Sequence, residues 1–168
     1  MPLETPGLIL NGVYEQAISY FEESIIASIK ANNPYGEMVA LVNSSTAFRE
    51  LDNLEEALQR CQKGLDLARK HGNLYQEARA ILEIGVISIK SSDLKKANDG
   101  VEKALKMFRD IGCPDDEAEA LKDLSIIKNA LGENKLAKEY CQKALVLATE
   151  LGIPLKEECQ NLLELLKN

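Results

Sequence analysis

The sequence predicts an all-α chain built as a solenoid of antiparallel helix pairs, and three observations predict it. The chain repeats itself every 40 residues: Asn32, Gly72, Gly112 and Gly152 share one column, Ala17, Ala57, Ala97 and Ala137 a second, and Ile25, Leu65, Leu105 and Leu145 a third. Ser24, Gly64, Ala104 and Ala144 add a column of small residues, and Phe21, Cys61, Val101 and Cys141 one of medium apolar residues, all without a gap. Self-similarity at such a period marks units that stack and bury a continuous core. Within each period the apolar residues follow helical spacing. The composition agrees: 45% of the 168 residues are hydrophobic, with only 10 glycines and 5 prolines, and Ala, Leu and Ile favour helix.

In chain order, residues 1–12 are expected to be irregular, because Pro2, Pro6 and Gly7 oppose a full helix. Val13 to Ala31 then forms a helix that is only the second half of a unit (13–32). Units 33–72, 73–112 and 113–152 are complete, and 153–168 supplies a final capping helix. The middle unit shows the design. Its helix A runs from about Leu74 to Lys90, with Ile81, Ile84, Gly85 and Ser88 on one face. "SSDL" interrupts the pattern and offers Ser or Asp as an N-cap. Helix B runs from about Leu94 to Asp110 with Ala97, Val101, Ala104, Leu105 and Phe108 inward, and Gly112 ends it in the left-handed conformation of a C-cap.

The stretch "RDIGCPDDEAEAL" at 109–121 carries a cysteine, a proline and a run of carboxylates, yet it sits at a junction of the repeat. Pro114 suits the first turn of a helix, as do Pro34 and Pro154 in the same column. Asp115, Asp116 and Glu117 then occupy the turn where the helix dipole favours negative charge. No base, nucleophile or metal partner stands nearby in sequence, so the cluster reads as a helix start and not as a catalytic site.

The totals exclude further classes. The net charge is −7 and no Lys/Arg run exceeds two residues, which opposes binding to nucleic acid. No window reaches the roughly 18 apolar residues of a membrane span. "MPLETPGLIL" lacks the basic region of a secretory signal, so a cytoplasmic protein is expected. Cys61, Cys113, Cys141 and Cys159 form no CxxC pair, and His71 is the single histidine. No metal site and no cofactor are expected. A Gly-rich phosphate loop and a nucleophile–His pair are also missing from the sequence, so no enzyme and no catalytic residue is predicted. Cys61 and Cys141 belong to a core column, while Cys113 falls in a turn where its thiol is expected to be exposed. His71 sits at a helix C-terminus, where a cation suits the dipole. Tyr35 and Tyr75 share a column at the start of helix A and are expected to pack on the preceding helix.

Paired helices with small residues at these columns resemble the tetratricopeptide repeat (TPR). Leu41, Ile81 and Leu121 stand where that family carries a large residue in its first helix; Ser45, Gly85 and Ser125 stand at its small position; Ala57, Ala97 and Ala137 match its alanine in the second helix. The aromatic positions match only in part (Phe48, Ser88, Lys128), and no Trp is present. The usual repeat is shorter, so the chain looks like the 40-residue, long-helix variety. The resemblance covers residues 12–168 and implies a right-handed α-solenoid whose A helices line a concave groove. Residue by residue, it places Val42, Asn43, Thr46, Arg79, Leu82, Glu83, Val86, Ile89, Lys122 and Ile126 in that groove. Val42, Leu82, Val86, Ile89 and Ile126 would form an apolar strip, although a helix in mid-stack is also expected to be widely apolar for packing alone.

The implied function is a protein-interaction scaffold that binds a helix or peptide of another protein. The clamp by which some members hold a chaperone's C-terminal carboxylate is not matched, since Val42, Glu119 and Asp123 stand where its cations are needed and Glu83 where it carries an Asn. The alternative is an architectural module: a homodimer joined through the half repeat at 13–32, or a fragment of a longer array, with contacts made by the terminal edges.

Overall fold

The computed structural model describes residues 6–166, with side chains described from residue 11. It contains α1 (Pro6–Lys30), α2 (Pro34–Glu50), α3 (Leu54–Lys70), α4 (Leu74–Lys90), α5 (Leu94–Ile111), α6 (Pro114–Ala130), α7 (Asn134–Leu151) and α8 (Leu155–Leu165). Among the described residues there is no strand. The helices fall into two compact units, Met1–Ile87 and Ser88–Asn168, divided within α4.

The junctions are set by a shorter rhythm than the sequence period. Asn32, Asp52, Gly72, Ser92, Gly112, Gly132 and Gly152 all have positive φ. They recur every 20 residues, so each helix from α1 to α7 ends on a left-handed residue. The next residue takes the N-cap position of each helix from α2 to α7. Asn33, Asn53, Asn73 and Asp93 accept hydrogen bonds from the backbone N–H of Gly36, Glu56, Gln76 and Lys96, satisfying donors that a helix start leaves unpaired. Cys113 and Glu133 occupy the same place without a side-chain cap, and Pro at the start of α6 removes one of those donors.

In the first unit α2 packs between α1 and α3. Ala57, Cys61 and Ala68 of α3 are fully buried, and Met38, Leu41 and Ala47 of α2 nearly so. Small residues let the helices approach closely: a Cβ placed on Gly64 would lie 2.9 Å from Val42 Cγ2. In the second unit α6 packs between α5 and α7, and α8 lies mainly on α7. Ala97, Val101, Ala104, Phe108, Leu124, Ile127, Ala137, Cys141, Ala144 and Ala148 are wholly buried there. Each large apolar side chain so buried contributes about 1.5–3 kcal/mol.

Some expectations need correction. α1 begins at Pro6, so residues 6–12 are helical where the sequence suggested an irregular segment. Pro6 opens the helix, where its missing N–H costs nothing, and does not interrupt it; residues 1–5 lie outside the described residues. Tyr35 is 56% exposed, so its ring is not packed away on the preceding helix. Asp116 is buried in the first turn of α6, whereas Pro114 and Asp115 beside it are exposed. Pro154 is the N-cap of α8 and precedes its first turn.

Candidate interaction surfaces

The expected groove residues differ widely in access. In the first unit Val42 and Leu82 are 3% and 4% exposed. They belong to the core, because an A helix in a stack is covered on several sides at once. Neither lines an open apolar strip. Glu83 is also buried, while Asn43, Thr46, Arg79 and Val86 are half-buried. Arg49 Nε of α2 donates to Glu83 Oε1 of α4 at 2.8 Å, and Arg49 also pairs with Glu50. A sheltered ion pair thus ties α2 to α4.

In the second unit Lys122 and Ile126 of α6 and Ile89 at the end of α4 are half-buried. Lys122 Nζ lies 3.0 Å from Glu158 Oε2 on α8 and 4.0 Å from Asp123. Burial works to lower the pKa of this ammonium, but Asp123 and the hydrogen bond to Glu158 outweigh it, so the pKa is raised. Lys122 stays charged and anchors α8.

Two clefts that the sequence reading missed lie on the B-helix side. One, of 580 Å³, is lined by Ile25, Ile29, Leu41, Lys63, Leu67 and Lys70, among others. The other, of 520 Å³, is lined by Arg109, Leu121, Lys143, Val146, Leu147 and Glu150, among others. Most lining positions of the second are those of the first shifted by two repeats (Leu41 and Leu121, Lys63 and Lys143, Leu67 and Leu147). The repeat register that predicted the core could have predicted these clefts.

The thiols are structural. Cys61 Sγ donates to the Ala80 carbonyl at 3.2 Å, and Cys141 Sγ to the Cys159 carbonyl at 3.3 Å. Burial pushes Cys61 up to about 12 and Cys159 up to about 11. Cys113 is half-buried at the start of α6, where burial and then Asp116 and Asp115 raise its pKa, which works against a reactive thiolate. Among the described residues no group of three His, Cys, Asp or Glu side chains is placed to hold a metal ion, and no helix is long and apolar enough to cross a membrane.

Among the described residues, eight helices with this alternation and this buried small-residue ladder define an all-α helical-repeat solenoid of TPR-like kind, and solved structures agree. BtubC (BKLC) from P. vanneervenii superposes with a TM-score of 0.70 at 16% identity, over 90% of this chain and 68% of that one. The apo form of RapI gives 0.71 at 12% identity, over 89% of this chain and 62% of that one. The nearly identical TPR-like repeats of a putative kinesin light chain from Podosopora anserina give 0.67 at 12% identity, over 93% and 78%. At these identities the likeness is one of fold. No protein-family model matches the sequence, and no curated protein matches it.

Proposed function

We propose that this chain is a non-catalytic protein-interaction scaffold that uses the A-helix side of its first unit to hold a helix or peptide of another protein. The carrying observation is the Arg49–Glu83 clasp. It ties α2 to α4 in the unit where Val42 and Leu82 are buried and Asn43, Thr46, Arg79 and Val86 stay half-buried. Such a surface offers hydrogen bonds and charge for register and Val86 for apolar contact. Lys122 and Ile126 offer a similar combination on the second unit. Helical-repeat proteins generally present surfaces of this kind to other proteins.

The test is capture of partners from lysate with the wild-type chain beside Val86→Glu and Asn43→Lys variants of equal helicity. Loss of a partner in both supports the groove. Retention of every partner in both counts against it. Leu82→Glu is unsuitable, because Leu82 is core.

A second reading, contact through a terminal edge, is favoured by α1. Val13, Tyr20, Ile26 and Ile29 are each more than half exposed, an unusual load of uncovered apolar surface for one helix.

A further inference from the structure

We infer that α1 joins a second copy of this chain as an antiparallel, two-fold α1–α1 helix pair; this rests on the edge-contact reading and not on the groove. The repeat register shows which face of α1 is uncovered. Ala57, Ala97 and Ala137 are fully buried, as are Ala104 and Ala144. The equivalent Ala17 is only half-buried and Ser24 is exposed. These columns are where a B helix meets the A helix before it: Gly64 lies against Val42 of α2, and Ser125 of α6 bonds the Ala137 carbonyl of α7. Among the described residues no helix takes that place on α1. Tyr14 is the counterpart of Leu54, Leu94 and Asn134, which open α3, α5 and α7, but α1 starts at Pro6, about two turns earlier. The chain runs straight on where the other units turn.

The uncovered residues suit self-pairing. Val13, Ala17, Tyr20, Ser24, Ala27 and Ala31 alternate in steps of four and three, the spacing of a helix–helix seam. Val13 is 55% and Tyr20 71% exposed. With the two-fold axis near residue 22, Val13 meets the second copy's Ala31, Tyr20 its Ser24, and Ala17 its Ala27. Both large residues then face small ones. A parallel pair would set Tyr20 on Tyr20 and leave Ser24 on Ser24.

α8 does not suit the uncovered face of α1. In α8, Glu158 stands in the column of Met38, Ala78 and Ala118, and Asn161 in that of Leu41, Ile81 and Leu121, all buried elsewhere. Leu165, 73% exposed, stands in the column of Ser45 and Ser125, which are fully buried. Docking α8 on α1 of the next copy would bury a carboxylate and an amide and would force Leu into a close-approach position. Head-to-tail growth is disfavoured, and a closed pair is the remaining symmetric solution.

The test is light scattering behind size exclusion on the 168-residue chain. The expected result is twice the chain mass at tens of micromolar, with dissociation at least 100-fold easier in Tyr20→Glu/Ala27→Glu. Orientation is read separately by disulfide formation in a Cys113→Ser background. Ala17→Cys/Ala27→Cys should cross-link into a covalent dimer, and Ala17→Cys alone should not. A monomeric wild type overturns both this pair and the edge reading, while the groove experiment stands apart. A dimer that survives Tyr20→Glu/Ala27→Glu overturns this pair and leaves the edge reading to another surface. Equal cross-linking by Ala17→Cys alone overturns the antiparallel geometry. Should the glutamate variant fail to fold, the cross-linking result decides.

Discussion

Ser125 Oγ of α6 donates a 2.8 Å hydrogen bond to the carbonyl oxygen of Ala137 on α7, and both residues are wholly buried. A side chain as short as serine reaches a neighbouring helix's backbone only where the two helices approach closely, which fits the ladder of Ala, Gly and Ser columns. Replacing Ala137 with Leu should therefore overpack the α6–α7 seam and cost about 1–3 kcal/mol. Ala97→Leu, in the same column one repeat earlier, should behave alike. Urea unfolding measures both, and a urea midpoint unchanged in both would refute the close-approach role of the column.

The Arg49–Glu83 contact is open to a double-mutant cycle. Arg49→Met and Glu83→Gln each leave one charge largely sheltered, since the two side chains are 14% and 11% exposed. A coupling of roughly 0.5–3 kcal/mol is expected for residues in direct contact. Additive losses would mean that the pair is solvated and that the proposed surface lacks its fixed polar rim.

The thiols give a pH dependence whose sign follows from burial. Cys61 is raised from 9.0 to about 12 and Cys159 to about 11, so the folded chain holds these protons more tightly than the unfolded one. Their contribution is fully present below the unfolded value near pH 9 and is lost as pH rises through the folded values. Stability should fall across pH 9 to 11, and Cys61→Ala should make that slope shallower. An identical slope in the two proteins would contradict the buried, protonated thiol. At pH 8 a thiol reagent should label Cys113 well before the other three.

Sequence periodicity located α4 and α5 almost to the residue, because apolar spacing and the Gly112 stop act locally. It missed the left-handed residues that end the A helices: Asp52 and Ser92 share a column with Gly132, but Asp and Ser do not announce positive φ as Gly does. It misjudged α1 by treating Pro6 as a breaker when its place in a helix decides what Pro does. The groove was harder still. Leu82 and Val86 lie one turn apart on α4, yet Leu82 is core and Val86 half-buried, a difference set by neighbouring helices that spacing along one helix does not encode.

Ser92 offers the most economical check of the junction geometry. Its φ is 61°, a region that costs a non-glycine residue about 1–2 kcal/mol. Gly132 holds the same place one repeat later with φ 77°, and a Cβ there would meet no atom within 4 Å, so the conformation and not crowding selects the residue. Ser92→Gly should relieve the strain, against which stands the greater freedom of Gly in the unfolded chain. The net expectation is a gain of up to about 1 kcal/mol, or roughly 2–4 °C in melting temperature for a chain of this size. Gly132→Ser should lose a comparable amount. Opposite signs in the two variants would support one junction conformation shared by A-helix ends, whereas a loss in Ser92→Gly would show that the serine side chain contributes more there than its backbone strain costs.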